Sequence, residues 1–286
     1  MDIAIVGGTV VDGTGRPGLR ADVGIRDDRI VAVGELSEQA GRTIDAAGRI
    51  VAPGFIDAHA HSDFVLLRDP LNPEKVMQGV TTNIIGNCAL SPAPVNDTVR
   101  MFFENLLQHV LGTVNIRWNE FEDLMHVYET DGVAPNLKSL AGQGTIRMAV
   151  MGMENRPANS REMKAMQRYL SAAMEAGAIG ISTGLMYPPG SFADREELTE
   201  LTKVVAEYDG MYATHMRNED DQLLESLEEA IHIGEEAGVP VQISHHKAVG
   251  KPNWGKVTES LAMLDAARGS GLDIDCDVYP YTAFST

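Results

Sequence analysis

Two histidines stand two residues apart, His59 and His61, in Asp57-Ala58-His59-Ala60-His61. Side chains alternate along an extended strand, so both rings would project to one face and could approach a single metal ion. Three more stretches end in ligand-type residues: Gly86-Asn87-Cys88, Ala213-Thr214-His215-Met216-Arg217 and Ile243-Ser244-His245-His246-Lys247. One thiolate and two imidazoles leave a fourth tetrahedral position for water, the pattern of an open catalytic zinc site. Cys88, His215 and a histidine at 245 or 246 form that candidate set. Alternation lets only one of the pair point inward: Val241, Ile243 and His245 share one face, Gln242, Ser244 and His246 the other. Residue type alone does not choose between them. Lys247, Arg217, Tyr279, Tyr281 and Ser285 could hold an anionic or carbonyl-bearing substrate. His109, His126 and His232 fall in helical patterns without ligand-type neighbours, and Cys276, alternating with Ile274 and Val278, reads as core. The sequence has no G-x-S-x-G element, and its glycine-rich stretches lack the strand–glycine–helix context of a phosphate loop.

The elements that must carry these residues alternate between strand and helix after Pro53-Gly54. Residue types predict strands at 55–61, 82–88, 146–152, 178–185, 211–216, 241–246 and 272–278. Helical spacing is expected over 97–130, 160–176 (with Ser160 as N-cap), 194–207, 219–237 and 255–269. The 219–237 helix would bury Leu224, Leu227 and Ile231, and its eight acidic residues read as a solvated face. The first fifty residues carry short Val-, Ile- and Thr-rich runs punctuated by Gly7-Gly8, Asp12-Gly13, Asp27-Asp28 and Gly48, which predicts a small β module. The organisation is therefore a β module over 1–52 and a repeated βα domain over 53–286. Metal-competent side chains at the C-terminal ends of several strands point to an α/β fold of the (β/α)8 TIM-barrel type. The count reaches seven strands, so the eighth is expected to be missing.

Composition bounds the partners. Twenty-three Lys and Arg against 41 Asp and Glu give a net charge of −18, which disfavours nucleic acid and anionic membrane. An apolar fraction of 44% with 22% charged residues is a globular mixture. Two cysteines are too few for a disulfide scaffold. No run of about 18 apolar residues is present, and the first residues lack a signal-peptide pattern, so a cytoplasmic enzyme is expected.

The motifs together resemble the amidohydrolase superfamily, and within it the D-aminoacylases, or N-acyl-D-amino-acid deacylases. The resemblance spans essentially the whole chain. Pro53-Gly54-Phe55-Ile56-Asp57-Ala58-His59-Ala60-His61 marks the superfamily, while Gly86-Asn87-Cys88 with Ser182-Thr183-Gly184-Leu185 is more specific to the deacylases. Thr214-His215-Met216-Arg217, Ile243-Ser244-His245-His246-Lys247 and Tyr279-Pro280-Tyr281 also match. The resemblance implies a distorted (β/α)8 barrel with a small β-sandwich domain. It implies one tightly held Zn2+ on Cys88, His215 and His245, favouring His245 over His246, and a second, weaker metal position on His59 and His61. Lys247, Tyr279 and Ser285 would contact the substrate, a small-molecule N-acyl-D-amino acid.

The implied chemistry is amide hydrolysis by a water whose pKa the metal lowers to about 7. A strand-eight carboxylate would carry the proton to the leaving amine. That Asp is expected beyond Thr286, so the 286-residue chain alone is expected to be inactive. Gln143 stands where relatives commonly have His, which bears on acyl-group contacts. Two alternatives accompany this reading. A cyclic-amide hydrolase of the hydantoinase or dihydroorotase type would need a strand-four lysine, and 178–185 has none. A non-catalytic metal-binding fragment is the other.

Overall fold

The computed structural model describes residues 1–110, 112 and 114–283. It divides into two units, Met1–Phe55 and Ile56–Thr286. The first is all β. Strands β1 (Ile3–Val6), β2 (Thr9–Val10), β3 (Leu19–Arg20), β4 (Asp22–Arg26), β5 (Arg29–Gly34), β6 (Arg42–Asp45) and β7 (Ile50–Val51) form two sheets, ordered β5-β4-β1-β6 and β3-β2-β7. Ala4, Val23 and Ala46 are buried, whereas Leu19, Ile30 and Ile50 are exposed.

The second unit alternates strand and helix. Its strands are β8 (Phe55–Asp57), β9 (Val80–Ile85), β10 (Asn136–Ser139), β11 (Ala141–Gly142), β12 (Gly180–Gly184), β13 (Met211–His215), β14 (Val241–Ile243) and β15 (Ile274–Cys276). They lie in chain order in two sheets, β8-β9-β10 and β11 to β15, and every register pair given by β9 to β15 is parallel. β10 and β11 are one strand position interrupted at Leu140: Leu140 N–H donates to the Ile85 carbonyl on one side, and Ser139 accepts from Ile179 N–H on the other. Among the described residues this gives seven successive strand positions, an arc of an α/β barrel.

The helices are α1 (Asp63–Arg68), α2 (Pro73–Val76), α3 (Asp97–Val110), α4 (Phe121–Asp131), α5 (Gln143–Met151), α6 (Ser160–Glu175), α7 (Arg195–Ala206), α8 (Leu223–Ala237) and α9 (Lys256–Ser270). Capping sets their starts. Asn159, not Ser160, caps α6: its side chain accepts from Arg161 and Glu162 N–H while Glu162 accepts from Asn159 N–H. Asp194 caps α7 in one direction only, its side chain accepting from Glu197 N–H at 2.9 Å. The core lies between these helices and the sheet, with Met166, Leu170, Leu201, Leu227, Ile233, Tyr212 and Ile243 buried. No helix among the described residues is long and apolar enough to cross a membrane.

Three further expectations need correction. The helical stretch expected over 97–130 is two helices, α3 and α4. The strand predicted at 146–152 is helix α5, and the third strand is β10–β11 instead. Gln143 through Met148 are all buried, so α5 lacks a polar face and shows no amphipathic stripe to separate it from a buried strand. Asn, Lys, Ser, Ala and Gly in β10–β11 hide the strand itself. Cys276 is only half-buried, because the alternation that buries Ile274 ends with Val278 at 75% exposure.

Gly86 closes β9 with φ +76°, where an added Cβ would collide with the Leu140 carbonyl. Gly86→Ala is therefore expected to destabilise the fold by about 2 kcal/mol or more. Urea unfolding would detect this as a lower midpoint at unchanged slope, and an unchanged midpoint would refute the constraint.

Candidate metal centre

Strand β8 ends at Asp57, so His59 and His61 lie just past it and not on it. Their rings nevertheless meet, with the Nε2 atoms 3.3 Å apart. Asp57 fixes the turn by accepting from His59 N–H, and its other oxygen pairs with Lys75. Ala60 N–H donates to the Ile84 carbonyl, which ties the His-x-His segment to β9.

Cys88 lies two residues beyond Gly86, at φ +53°, and Ala89 follows at +70°. L-residues resist this left-handed region. Hydrogen bonds hold it: Gly86 N–H donates to buried Asp63 at 2.7 Å, Ala89 N–H to Ser182 Oγ at 3.1 Å, and Asn87 Nδ2 to the Ile84 carbonyl at 2.9 Å. Cys88 Sγ then lies 3.3 Å from His59 Nε2 and 3.5 Å from His245 Nε2.

His245 also has positive φ, +40°. Asp277 accepts from its backbone N–H at 2.7 Å, and the ring Nδ1 lies 2.9 Å from Glu219. The choice between neighbouring histidines falls to His245, since His246 turns away and contacts Ser260 Oγ through Nε2 at 2.9 Å. His215 ends β13 with its ring centroid 4.3 Å from that of His245. Its Nε2 is buried without a hydrogen-bond partner among the described residues, 3.9 Å from Glu219.

Two trios of donors therefore converge, His59/Cys88/His245 and His215/Glu219/His245, with the ligand atoms of each trio all within 4.8 Å of one another. Buried lone pairs this close lack enough protons to satisfy one another. A set of one sulfur, several imidazoles and a carboxylate suits a borderline-soft divalent ion. Burial pushes the His215 pKa down to about 4, so the ring is neutral and able to coordinate at physiological pH. Burial pushes the Cys88 thiol up, with the Asp277 and Glu219 charges adding to it, so its thiolate calls for a cation.

A cavity of about 480 Å³ opens over the cluster. His61, Cys88, His215, His245, Lys247 and Tyr279 line its polar end, and Leu90, Phe102, Leu106 and Pro188 its apolar wall. Lys247 Nζ lies 2.5 Å from Glu219 and 5.5 Å from the Tyr279 ring centroid. Tyr279 Oη has no hydrogen-bond partner among the described residues. Ser285 lies outside the described residues. Arg217 corrects the expectation of a substrate contact. Its guanidinium clasps Glu229 through two 2.9 Å bonds and donates to the Ser191 and Ala193 carbonyls, fastening the loop after β12 to α8. Gln143 does not line the cavity; it is fully buried and donates to Glu197.

Three acidic residues that the sequence reading passed over belong to the site: Glu219, Asp277 and Asp63. Glu219 was grouped with a solvated helical face, yet α8 begins only at Leu223 and Glu219 is 1% exposed. Asp277 shares the strand-end position that singled out the histidines, which is the signal that could have found it.

Parallel strands carrying a sulfur–nitrogen donor cluster at their C-terminal ends define a metal-binding α/β barrel. The chain belongs to the amidohydrolase family, whose sequence profile matches residues 42–274. It is 43% identical to a D-aminoacylase and 40% identical to an N-acyl-D-glutamate deacylase, both from Alcaligenes xylosoxydans xylosoxydans, over all of this chain. The chain spans 58% of the length of each of these relatives. A D-aminoacylase crystal structure superposes with TM-score 0.91, covering 98% of this chain and 58% of that one at 43% identity. An N-acyl-D-glutamate deacylase from Bordetella bronchiseptica, complexed with zinc and a phosphonate inhibitor, superposes with TM-score 0.90 at 38% identity and the same coverage. D-hydantoinase, at 18% identity and TM-score 0.62, shares the fold.

The lowered His215 pKa has a testable sign. The unfolded chain binds this proton near pH 6.5 and the folded chain only near pH 4. This group's contribution to stability is therefore full above about pH 6.5 and is lost as pH falls toward 4. In metal-free protein the urea midpoint should fall less steeply over that window for His215→Asn than for the wild type. Equal slopes would show that His215 titrates normally.

Proposed function

We propose that the protein hydrolyses the amide bond of N-acyl-D-amino acids, releasing a carboxylate and a D-amino acid, with zinc as its metal. The observation that carries this reading is the donor cluster that joins His59 to Cys88, His215 and His245, the last three lining one cavity with Lys247, in a chain this similar to a D-aminoacylase. In this reading Cys88, His215 and His245 hold one zinc tightly, and His59 with His61 face a second, weaker position. When bound, zinc supplies Lewis-acid polarisation of the amide carbonyl and a water acidic enough to ionise near neutral pH.

The chain's own residues do the rest. The Lys247 ammonium reaches the cavity as the cation for the substrate carboxylate. The unpartnered Tyr279 hydroxyl is a donor for the carbonyl oxygen as charge develops on it. Leu90, Phe102 and Leu106 exclude water along one wall and suit an apolar part of the substrate. Glu219 and Asp277 are both engaged in holding histidines, so neither is offered as the proton carrier. Strand β12 carries no lysine, which counts against a cyclic-amide hydrolase bridging two metals through a carboxylated lysine.

Protein extended to the full length of its relatives is expected to contain zinc by elemental analysis and to release amine from N-acetyl-D-amino acids faster than from their L-enantiomers or from hydantoin. Cys88→Ala should lose the tight zinc and at least about 100-fold in kcat/KM. Retention of both zinc and activity would overturn the assignment, and faster hydantoin turnover would favour the cyclic-amide reading.

A further inference from the structure

Glu219 is 1% exposed, and both its oxygens are committed. Oε1 lies 2.9 Å from His245 Nδ1, and Oε2 lies 2.5 Å from Lys247 Nζ. An ionised carboxylate only accepts, so His245 must donate through Nδ1. That leaves the lone pair on Nε2, the atom facing Cys88 at 3.5 Å. Lys247 Nζ also lies 3.1 Å from His245 Nδ1. Were Lys247 to win that nitrogen as its acceptor, the ring proton would move to Nε2 and the lone pair would face away from the sulfur. Glu219 prevents this by taking the Nδ1 proton with one oxygen and the ammonium with the other, while Lys247 also donates to the His245 carbonyl at 3.0 Å.

The carboxylate is itself held from outside. Val249 N–H, in the loop after β14, donates to the Glu219 carbonyl at 2.7 Å. Asn218 Oδ1 accepts from Asp220 and Gln222 N–H at 2.9 Å each, fixing the turn that delivers Glu219 to the rim. Burial alone would raise this carboxyl, but the hydrogen bonds from His245 and Lys247 outweigh it and hold Glu219 below its ordinary pKa.

We propose that Glu219 is a positioning residue that sets the metal-facing tautomer of His245 and the reach of the Lys247 ammonium at once, coupling metal affinity to substrate-carboxylate binding. This rests on the metal reading given above. A group that orients a ligand imidazole typically changes metal affinity 10–100-fold when lost. Lys247 competes with Glu219 for His245 Nδ1 and donates to the His245 main-chain carbonyl, so its removal leaves the Glu219–Nδ1 bond and the tautomer in place and should act chiefly on substrate.

The test compares Glu219→Gln with Lys247→Met, using zinc affinity by chelator competition and the absorption spectrum of the cobalt(II)-loaded protein. Glu219→Gln should weaken zinc about 10–100-fold, alter the cobalt spectrum and raise KM. Lys247→Met should leave zinc affinity within about threefold and raise KM. Glu219→Gln with wild-type zinc affinity and spectrum overturns the proposal, as does Lys247→Met weakening zinc equally. Should Glu219→Gln fail to fold, the double variant Glu219→Leu/Lys247→Met removes the buried charge and its partner together. It should still bind zinc weakly, and wild-type affinity there overturns the proposal too. Wild-type protein that binds no zinc through Cys88 would instead refute the metal reading, a separately legible outcome.

Discussion

The structure turns on one electrostatic problem: lone-pair donors are packed against one another where water cannot reach all of them. Cys88 Sγ, His59 Nε2, His61 Nε2 and His245 Nε2 are linked by contacts of 3.3 to 3.5 Å. The barrel accepts backbone strain to make this crowding possible, since Cys88, Ala89 and His245 all have positive φ. Each such residue costs about 1–3 kcal/mol, more than one neutral hydrogen bond returns. The strain is accordingly met by several bonds or by a charged acceptor. Gly86 and Ala89 are held by Asp63 and Ser182, and the His245 N–H points at the Asp277 carboxylate.

The acidic surplus of the chain takes on a second meaning at this rim. A net charge of −18 favours approach of a divalent cation and opposes that of an anionic substrate. Glu219 and Asp277 contact the His245 and His59 rings without lining the cavity, and they orient the rings and raise the affinity for positive charge. Lys247 is the cation on the cavity side. Its ammonium is paired with the buried Glu219 carboxylate, so the cavity presents a cation whose charge is already partly answered within the site.

Much of this was legible in the sequence, and the failures have physical reasons. Strand ends expose chemistry on one rim whatever their length, so Cys88, His215, one of the His245/His246 pair and the His59/His61 pair could be singled out by position, while the preference for His245 came from the family resemblance. Periodicity failed where burial is complete: α5 has no polar face to report its turn, and β10–β11 contains residues with little strand preference. It misled again at Glu219, which sits four residues ahead of Leu223, in a turn where the helical pattern of its acidic neighbours does not apply. Arg217 shows the reverse error. A cation near the rim suggested an anionic ligand, but Glu229 on α8 had already claimed it. Sequence shows which groups could meet, while a paired charge is visible only once both partners are in place.

His245 is where these constraints join. Its backbone N–H answers to Asp277, its Nδ1 to Glu219 and its Nε2 to Cys88, so three elements of the barrel fix three atoms of one residue. The partners come from the residue just past β15, from the loop after β13 and from the loop after β9, segments distant in sequence that meet at the C-terminal ends of their strands. Main-chain placement and ring tautomer are therefore set by different carboxylates. Such separation lets the ring keep its orientation without the backbone bond bearing on the proton, and lets the strained backbone persist whatever the ring coordinates. The adjacent His246, with Ser260 of α9 as its Nε2 contact, shows how little chemistry a histidine one residue away inherits once the turn after β14, with His245 at positive φ, sends the two rings to different partners.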